Sequence, residues 1–299
     1  MNKTLLSYIL TIGISAVAGA GTGVVLKRTI GPIDEMYPPG FDPKEFSPNI
    51  TEIMQRYNSL SDKTINGLRS FSDAEVVNIV CEKYRTLDYC YSIGIGNAYT
   101  IITQTIRNAQ IKNGDTYFEE QISYSDMVNV AKRSIQRGKD GDIELYNGKA
   151  SSSEKASYPD SPSDTRNKSS YKNYLGKTLD EMFIYIISDK TTLDSTRTIK
   201  GEQVTITLTL NPNLATYYYK TQMKNISGLA NLPPFDDVKL TYTFDKDLTL
   251  AHMSVDENYT ATKEGIPVAA PTHNVIENYY FPNVVKDIPA SNEMIDYKI

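Results

Sequence analysis

Tryptophan is absent, and histidine and cysteine each occur only twice in 299 residues. That scarcity excludes an all-cysteine zinc site, and a mixed site would consume all four residues, none of which stand at ligand-pair spacing. Nucleophile-and-base chemistry has equally few candidates. A basic excess is missing as well: 31 Lys and Arg face 36 Asp and Glu, for a formal charge of −5, so there is no domain-sized positive face for nucleic acid. P-loop, H-E-x-x-H and G-x-S-x-G motifs are all lacking, and Gly94-Ile95-Gly96 has no third glycine. No enzyme activity, cofactor or metal is therefore expected. With 17 Gly and 14 Pro the chain is neither collagen-like nor wholly disordered, and its length allows a substantial core.

What is present begins near the amino terminus, where Thr4 to Leu26 carry no charge between Lys3 and Lys27-Arg28. As a helix at ~1.5 Å per residue this stretch spans ~34 Å, enough for a hydrocarbon core of ~30 Å. Ser15, Gly19 and Gly23 recur at i, i+4 and i+8, the small-residue spacing that lets two membrane helices approach closely. Three readings compete: an uncleaved signal anchor, a secretory peptide cut after Ala16-Val17-Ala18 or Ala18-Gly19-Ala20, and a buried soluble helix. The apolar length favours the anchor. The first cysteine is Cys81, so a lipidated amino-terminal cysteine is not the tether. The flanking charges give no clean orientation, and a domain outside the membrane is expected by analogy with export anchors.

The pattern divides the chain into an anchor or signal over 1–28, an extended spacer with four prolines over 29–47, one extracytoplasmic α+β domain over 48–285, and a polar tail over 286–299. Ser47-Pro48 opens a short amphipathic helix with Ile50, Ile53, Met54 and Tyr57 on one face. Ser72-x-x-Glu75 is a capping box for a second helix reaching about Leu87. From Asp88 the period falls towards two, predicting an antiparallel meander over Tyr99–Arg107, Thr116–Tyr124, Asp126–Gln136 and Asp142–Tyr146, with the third member equally readable as a helix. Residues 147–173 are Ser-, Asp- and Lys-rich and read as a mobile loop. Thr178-x-x-Glu181 predicts a helix through MFIYIIS, and Asn211-Pro212 another up to Gly228. Gln203–Leu210 alternates cleanly as a strand, Val238–Tyr259 forms a hairpin turning at Asp245–Asp247, and Asn274–Phe281 is a final strand.

Candidate chemistry is sparse. His252 and His273 fall in neighbouring strands, within range of Glu264 or Glu277, yet solitary histidines are more often structural. The doublets Glu119-Glu120, Asp236-Asp237 and Asp256-Glu257 cannot act as pairs, since strand neighbours face opposite ways, and they read as solvated. Asp140-Gly141-Asp142-x-Glu144 lacks calcium-loop spacing and reads as a turn. Cys81 and Cys90 are close enough for a disulfide outside the membrane, with two buried free thiols as the alternative.

The succession of a helix, meandering strands, a loop with helices, and the strands VKLTYTFDKDLTLAHMSVDENYTAT and HNVIENYYF over residues 70–281 resembles the LolA/LppX-like half-barrel lipoprotein carriers of the bacterial envelope. The resemblance implies a curved antiparallel sheet wrapped around helices at 179–188 and 212–227, enclosing an apolar cavity for acyl chains or a lipidated partner. It supplies no site residue. The expectation is a membrane-anchored binding protein for an apolar or amphipathic ligand, with a non-catalytic surface scaffold as the alternative; the oligomeric state is left open.

Overall fold

The computed structural model describes residues 37, 40–99, 103–126, 128–182, 184–227, 234–261, 270–290 and 293–298. The stretch Thr4–Leu26, with Ser15, Gly19 and Gly23, lies outside them. Among the described residues no helix is long and apolar enough to cross a membrane.

Twelve antiparallel strands form one unclosed sheet. The first meander contains β1 (Tyr89–Tyr99), β2 (Thr103–Asn113), β3 (Thr116–Ser125), β4 (Val128–Arg137) and β5 (Ile143–Ala150), with short β6 (Ala156–Ser157) and β7 (Asp164–Arg166) both pairing β5. The second contains β8 (Thr192–Lys200), β9 (Gln203–Leu210), β10 (Phe235–Asp245), β11 (Leu250–Ala261) and β12 (Ala270–Pro282). A seam between β1 and β12, running from Cys90 opposite Pro282 to Tyr99 opposite His273, joins the meanders. The β2–β3 turn needs Gly114, whose φ of +58° is left-handed.

Helix α1 (Ile50–Ser59) is capped by Asn49, two residues beyond the expected Ser47, and turns Ile53 and Tyr57 inward. Helix α2 (Asp73–Arg85) has both halves of the Ser72–Glu75 capping box. It lies on β8–β11, where Val76, Val77 and Val80 meet Val204, Leu208, Leu240 and Phe244 in the main core. Arg197 on β8 holds the start of α2 through Asp73 at 2.6 Å, and the Tyr84 hydroxyl near its end donates to the Tyr91 carbonyl at 2.7 Å. Helix α3 (Lys168–Leu175) is capped by Asn167 and stopped by left-handed Gly176. Helix α4 (Tyr217–Ser227) follows turns in which Asn211 Oδ1 accepts from the Asn213 and Leu214 amides.

Several local expectations change. The stretch expected over Asp126–Gln136, readable as strand or helix, is a strand from Val128 to Arg137, because alternate residues Ala131, Arg133 and Ile135 face a buried surface. Within 147–173, two short strands and the start of α3 dock onto β5, and Tyr171 is fully buried against Ser134. No helix forms over the described part of 178–188. Glu181 still accepts from the Thr178 amide, as a capping box would have it, but the backbone beyond is used in tertiary bonds. Ile186 N donates to Ala215 O, and Asn78 Nδ2 donates to Ile187 O. A β-branched run has little helical preference to set against those partners.

Candidate functional site

The largest cleft, about 800 Å3, lies outside the sheet–helix core, between the start of α1, the face of α2, α3 and the irregular 176–186 segment. Its apolar lining includes Ile50, Cys81, Met182, Ile184 and Ile186. Its charged lining is a zipper of ion pairs among three elements. Arg85 grips Glu82 with two bonds of 2.6 and 2.8 Å and lies 3.6 Å from Asp180; Lys168 reaches Asp180 at 3.1 Å, and Lys172 pairs with Glu181. Burial alone would raise the Asp180 carboxyl, but bonds from the Thr178 hydroxyl and Lys168 outweigh it and hold the acid below its ordinary value. The cleft therefore joins apolar surface to a fixed array of compensated charges. Burial pushes the Cys81 thiol up, which makes it an inert wall rather than a nucleophile.

A second, polar space separates the first meander from α3 and α4. Facing the helices in cross-strand register stand Lys132 (β4), Gln121 (β3), Asn108 (β2), Gly94 (β1) and Asn278 (β12). Two adjoining lobes of about 170 and about 160 Å3 lie over this row and share Glu119, Gln121 and Gln222. Glu119 Oε2 takes bonds from Lys177 at 2.5 Å and Gln110 at 3.0 Å. Beside the second lobe Glu257 is fully buried without a cation, accepting from Tyr185, Tyr219 and Asn274 at 2.5, 3.2 and 2.9 Å. Burial raises its pKa despite these three donors.

On the opposite face of the first meander, Arg133 and Glu120 form a buried ion pair at 2.5 Å. Arg133 also donates to the Ala290 and Glu293 carbonyls, and Tyr297 donates to Glu120 at 2.7 Å. Residues 286–290 and 293–298 are thereby strapped across the sheet, with Ile288, Ile295 and Tyr297 covering Ile93, Phe118 and Ile122.

The candidates singled out from sequence do not converge. His252 meets Glu277 at 2.6 Å and His273 meets Asp256 at 2.7 Å, each across β11 and β12 on the face away from the helices, and neither lines the clefts described above. Glu264 lies outside the described residues. Cys81 and Cys90 are both buried and unbridged. No cluster of His, Cys, Asp and Glu suited to a metal occurs among the described residues. Two of the acidic doublets depart from the solvated expectation: each splits, Glu119 to a half-buried ion pair with Lys177 and Asp256 to a half-exposed contact with His273, Glu120 and Glu257 to the interior. A signal for the buried members exists in the phase of the strands. Glu120 alternates with Phe118 and Ile122, Arg133 with Ala131 and Ile135, and Glu257 with Val255 and Tyr259.

No family model and no curated protein matches the chain. One solved structure, described as "De novo design of transmembrane beta-barrels", is similar at 6% identity over 64% of this chain and 95% of that one, with a TM-score of 0.13, a likeness too slight to carry an argument.

Proposed function

We propose that the protein is a membrane-anchored, extracytoplasmic binding protein, in which a curved, half-barrel-like sheet and its helices hold an amphipathic ligand, a lipid or a lipidated partner, without making or breaking bonds. The anchor is the uncharged stretch Thr4–Leu26. Curvature is supported by the polar space: residues of β3, β2, β1, β12 and β11 line a single lobe of about 160 Å3.

The observation that carries the ligand reading is the cleft of about 800 Å3, within the size range of small-molecule sites and lined by apolar side chains beside zipped ion pairs. An acyl chain matches Ile50, Ile184 and Ile186, and a polar head matches the compensated charges of Arg85, Lys168 and Asp180. This keeps the carrier role of the LolA/LppX-like group but moves the ligand out of the layer between sheet and helices. One observation favours a surface scaffold as the second reading: over β9–β11 that layer is filled by Val204, Leu208, Leu240 and Phe244, as in any close-packed core.

The test uses the full chain in nanodiscs of a single synthetic phosphatidylcholine, with mass spectrometry of retained amphiphiles. An amphiphile not supplied with the disc is expected, at about one per chain. Ile50→Glu, which places a carboxylate in the cleft at the electrostatically favourable first turn of α1, should abolish it without lowering the melting temperature. Recovery of the supplied lipid alone, equally in both proteins, overturns the carrier reading in favour of the scaffold.

A further inference from the structure

We infer that the polar space beneath α3 and α4, which shares Met182, Ile184 and Tyr185 with the wall of the amphiphile cleft, is a binding site of its own for a sugar bearing an acidic substituent. The argument starts with four half-buried amides, Asn108, Gln121, Asn278 and Gln222, which converge on the two lobes and have no hydrogen-bond partner among the described residues. None of them is sealed from solvent, so water can answer each amide, and four turned to one wall form a row whose waters a ligand with matching donors and acceptors can replace.

Gly94 makes the convergence feasible. A Cβ there would come within 2.0 Å of Asn108 Oδ1 and 2.5 Å of Asn278 Oδ1, so any other residue would drive the two amides from their positions over β1. Each amide offers two donors and an acceptor. Vicinal hydroxyls, which both donate and accept, can answer such a row along its length; an acyl chain would leave all of it unpaired. The two lobes together reach the ~300 Å3 at which small-molecule sites begin.

Charge points to the acidic substituent. Arg166 is neutralised by Asp164 at 2.7 Å, and Glu119 by Lys177 at 2.5 Å. Lys132 stands in the same row as the amides and lines the same lobe as Arg166, with no carboxylate within ion-pair distance among the described residues. One uncompensated cation is left at the end of a row of neutral amides. Burial and the neighbouring Arg166 push the Lys132 ammonium down to about 8, a cost that a bound carboxylate or phosphate relieves.

The site is tested by calorimetric titration of the full chain in phosphatidylcholine nanodiscs with glucuronate, glucose and acetate. Glucuronate is expected to bind at least about tenfold more tightly than glucose, the value of one hydrogen bond to a charged group, while acetate shows no saturable binding. Lys132→Met should bring glucuronate down to glucose. Gly94→Ala and Asn278→Leu should weaken both sugars about tenfold, and Asn278→Leu serves as the second variant because it adds no clash against the backbone of β1. Ile50→Glu should leave sugar binding unchanged, which separates this site from the amphiphile cleft. Absence of sugar binding, acetate binding as well as glucuronate, or wild-type affinity in Asn278→Leu overturns the assignment.

Discussion

In β9 and β10 the side chains turned towards the helices are Val204, Ile206, Leu208, Leu240, Tyr242 and Phe244, and those turned away include Thr205, Thr207, Thr209 and Thr241. Across the seam the assignment reverses: β1–β4 send Ser92, Asn108, Gln121 and Lys132 towards the helices and Ile93, Ala109, Phe118 and Ile122 away. Each strand alternates as a half-buried strand should, but alternation identifies an apolar face without saying which way it looks. The second meander closes its apolar face with α2. The first closes its own with a strap of tail, and so leaves its polar face available under α3 and α4.

The strongest way to break this contrast is to remove what holds the strap. Arg133→Ala leaves Glu120 buried without its cation and should cost about 3–5 kcal/mol in urea unfolding, with the tail becoming sensitive to protease. Replacing both partners by Met should recover most of that loss, because the pocket between Phe118, Tyr158 and Tyr297 then holds apolar atoms. If Arg133→Ala unfolds at the wild-type midpoint, the tail is an ornament and the outward face of the first meander is effectively open.

A matched pair of truncating and filling substitutions compares the two helix-facing surfaces directly. Leu208→Ala should cost about 2–4 kcal/mol, since it empties a fully buried site beneath α2. Asn108→Leu should change stability by less than about 0.5 kcal/mol or raise it, because the amide has no partner to lose among the described residues. Equal losses in the two variants would show the polar space to be as tightly organised as the core.

The smallest effect concerns pH. Lys132, like Lys220, binds its proton less readily in the folded than in the unfolded chain, so each contributes a rise in stability with pH between about 8 and ~10.4. Arg166, Asp164 and Glu119 line the same lobe. Lys132→Met should remove its share of the rise and leave that of Lys220, an effect held to about 1 kcal/mol by solvent at this half-buried side chain. A wild-type slope that survives in Lys132→Met would mean that the lysine is solvated and the lobe open to water.

Local chemistry was the most legible part of the chain. The Ser72–Glu75 box, the alternation of Gln203–Leu210 and the hairpin through Asp245–Asp247 are all present in the structure, because each depends on residues a few positions apart. The strand expected over Tyr99–Arg107 instead straddles the end of β1 and the start of β2, since the glycines and polar residues of β1 disguise a strand that is paired on both sides. Residues 178–188 turned on partners more than twenty residues away, Asn78 and Ala215, which no local pattern announces. The polar row was invisible for a related reason: Lys132, Gln121, Asn108, Gly94 and Asn278 become neighbours only once five strands are in register. The buried Glu120, Arg133 and Glu257 were legible in principle, as charges occurring in phase with apolar residues.

The β1–β12 seam also sets an order of events during synthesis. Tyr89–Tyr99 leaves the ribosome long before its partner, since Cys90 must wait for Pro282 and Tyr99 for His273. Until β12 arrives, the first meander has a bare hydrogen-bonding edge at β1 and an apolar face without its strap, and closing so long a loop is slow. That edge and that face are where the unfinished chain is most open to mispairing, a vulnerability that ends only when β12 and the tail are in place.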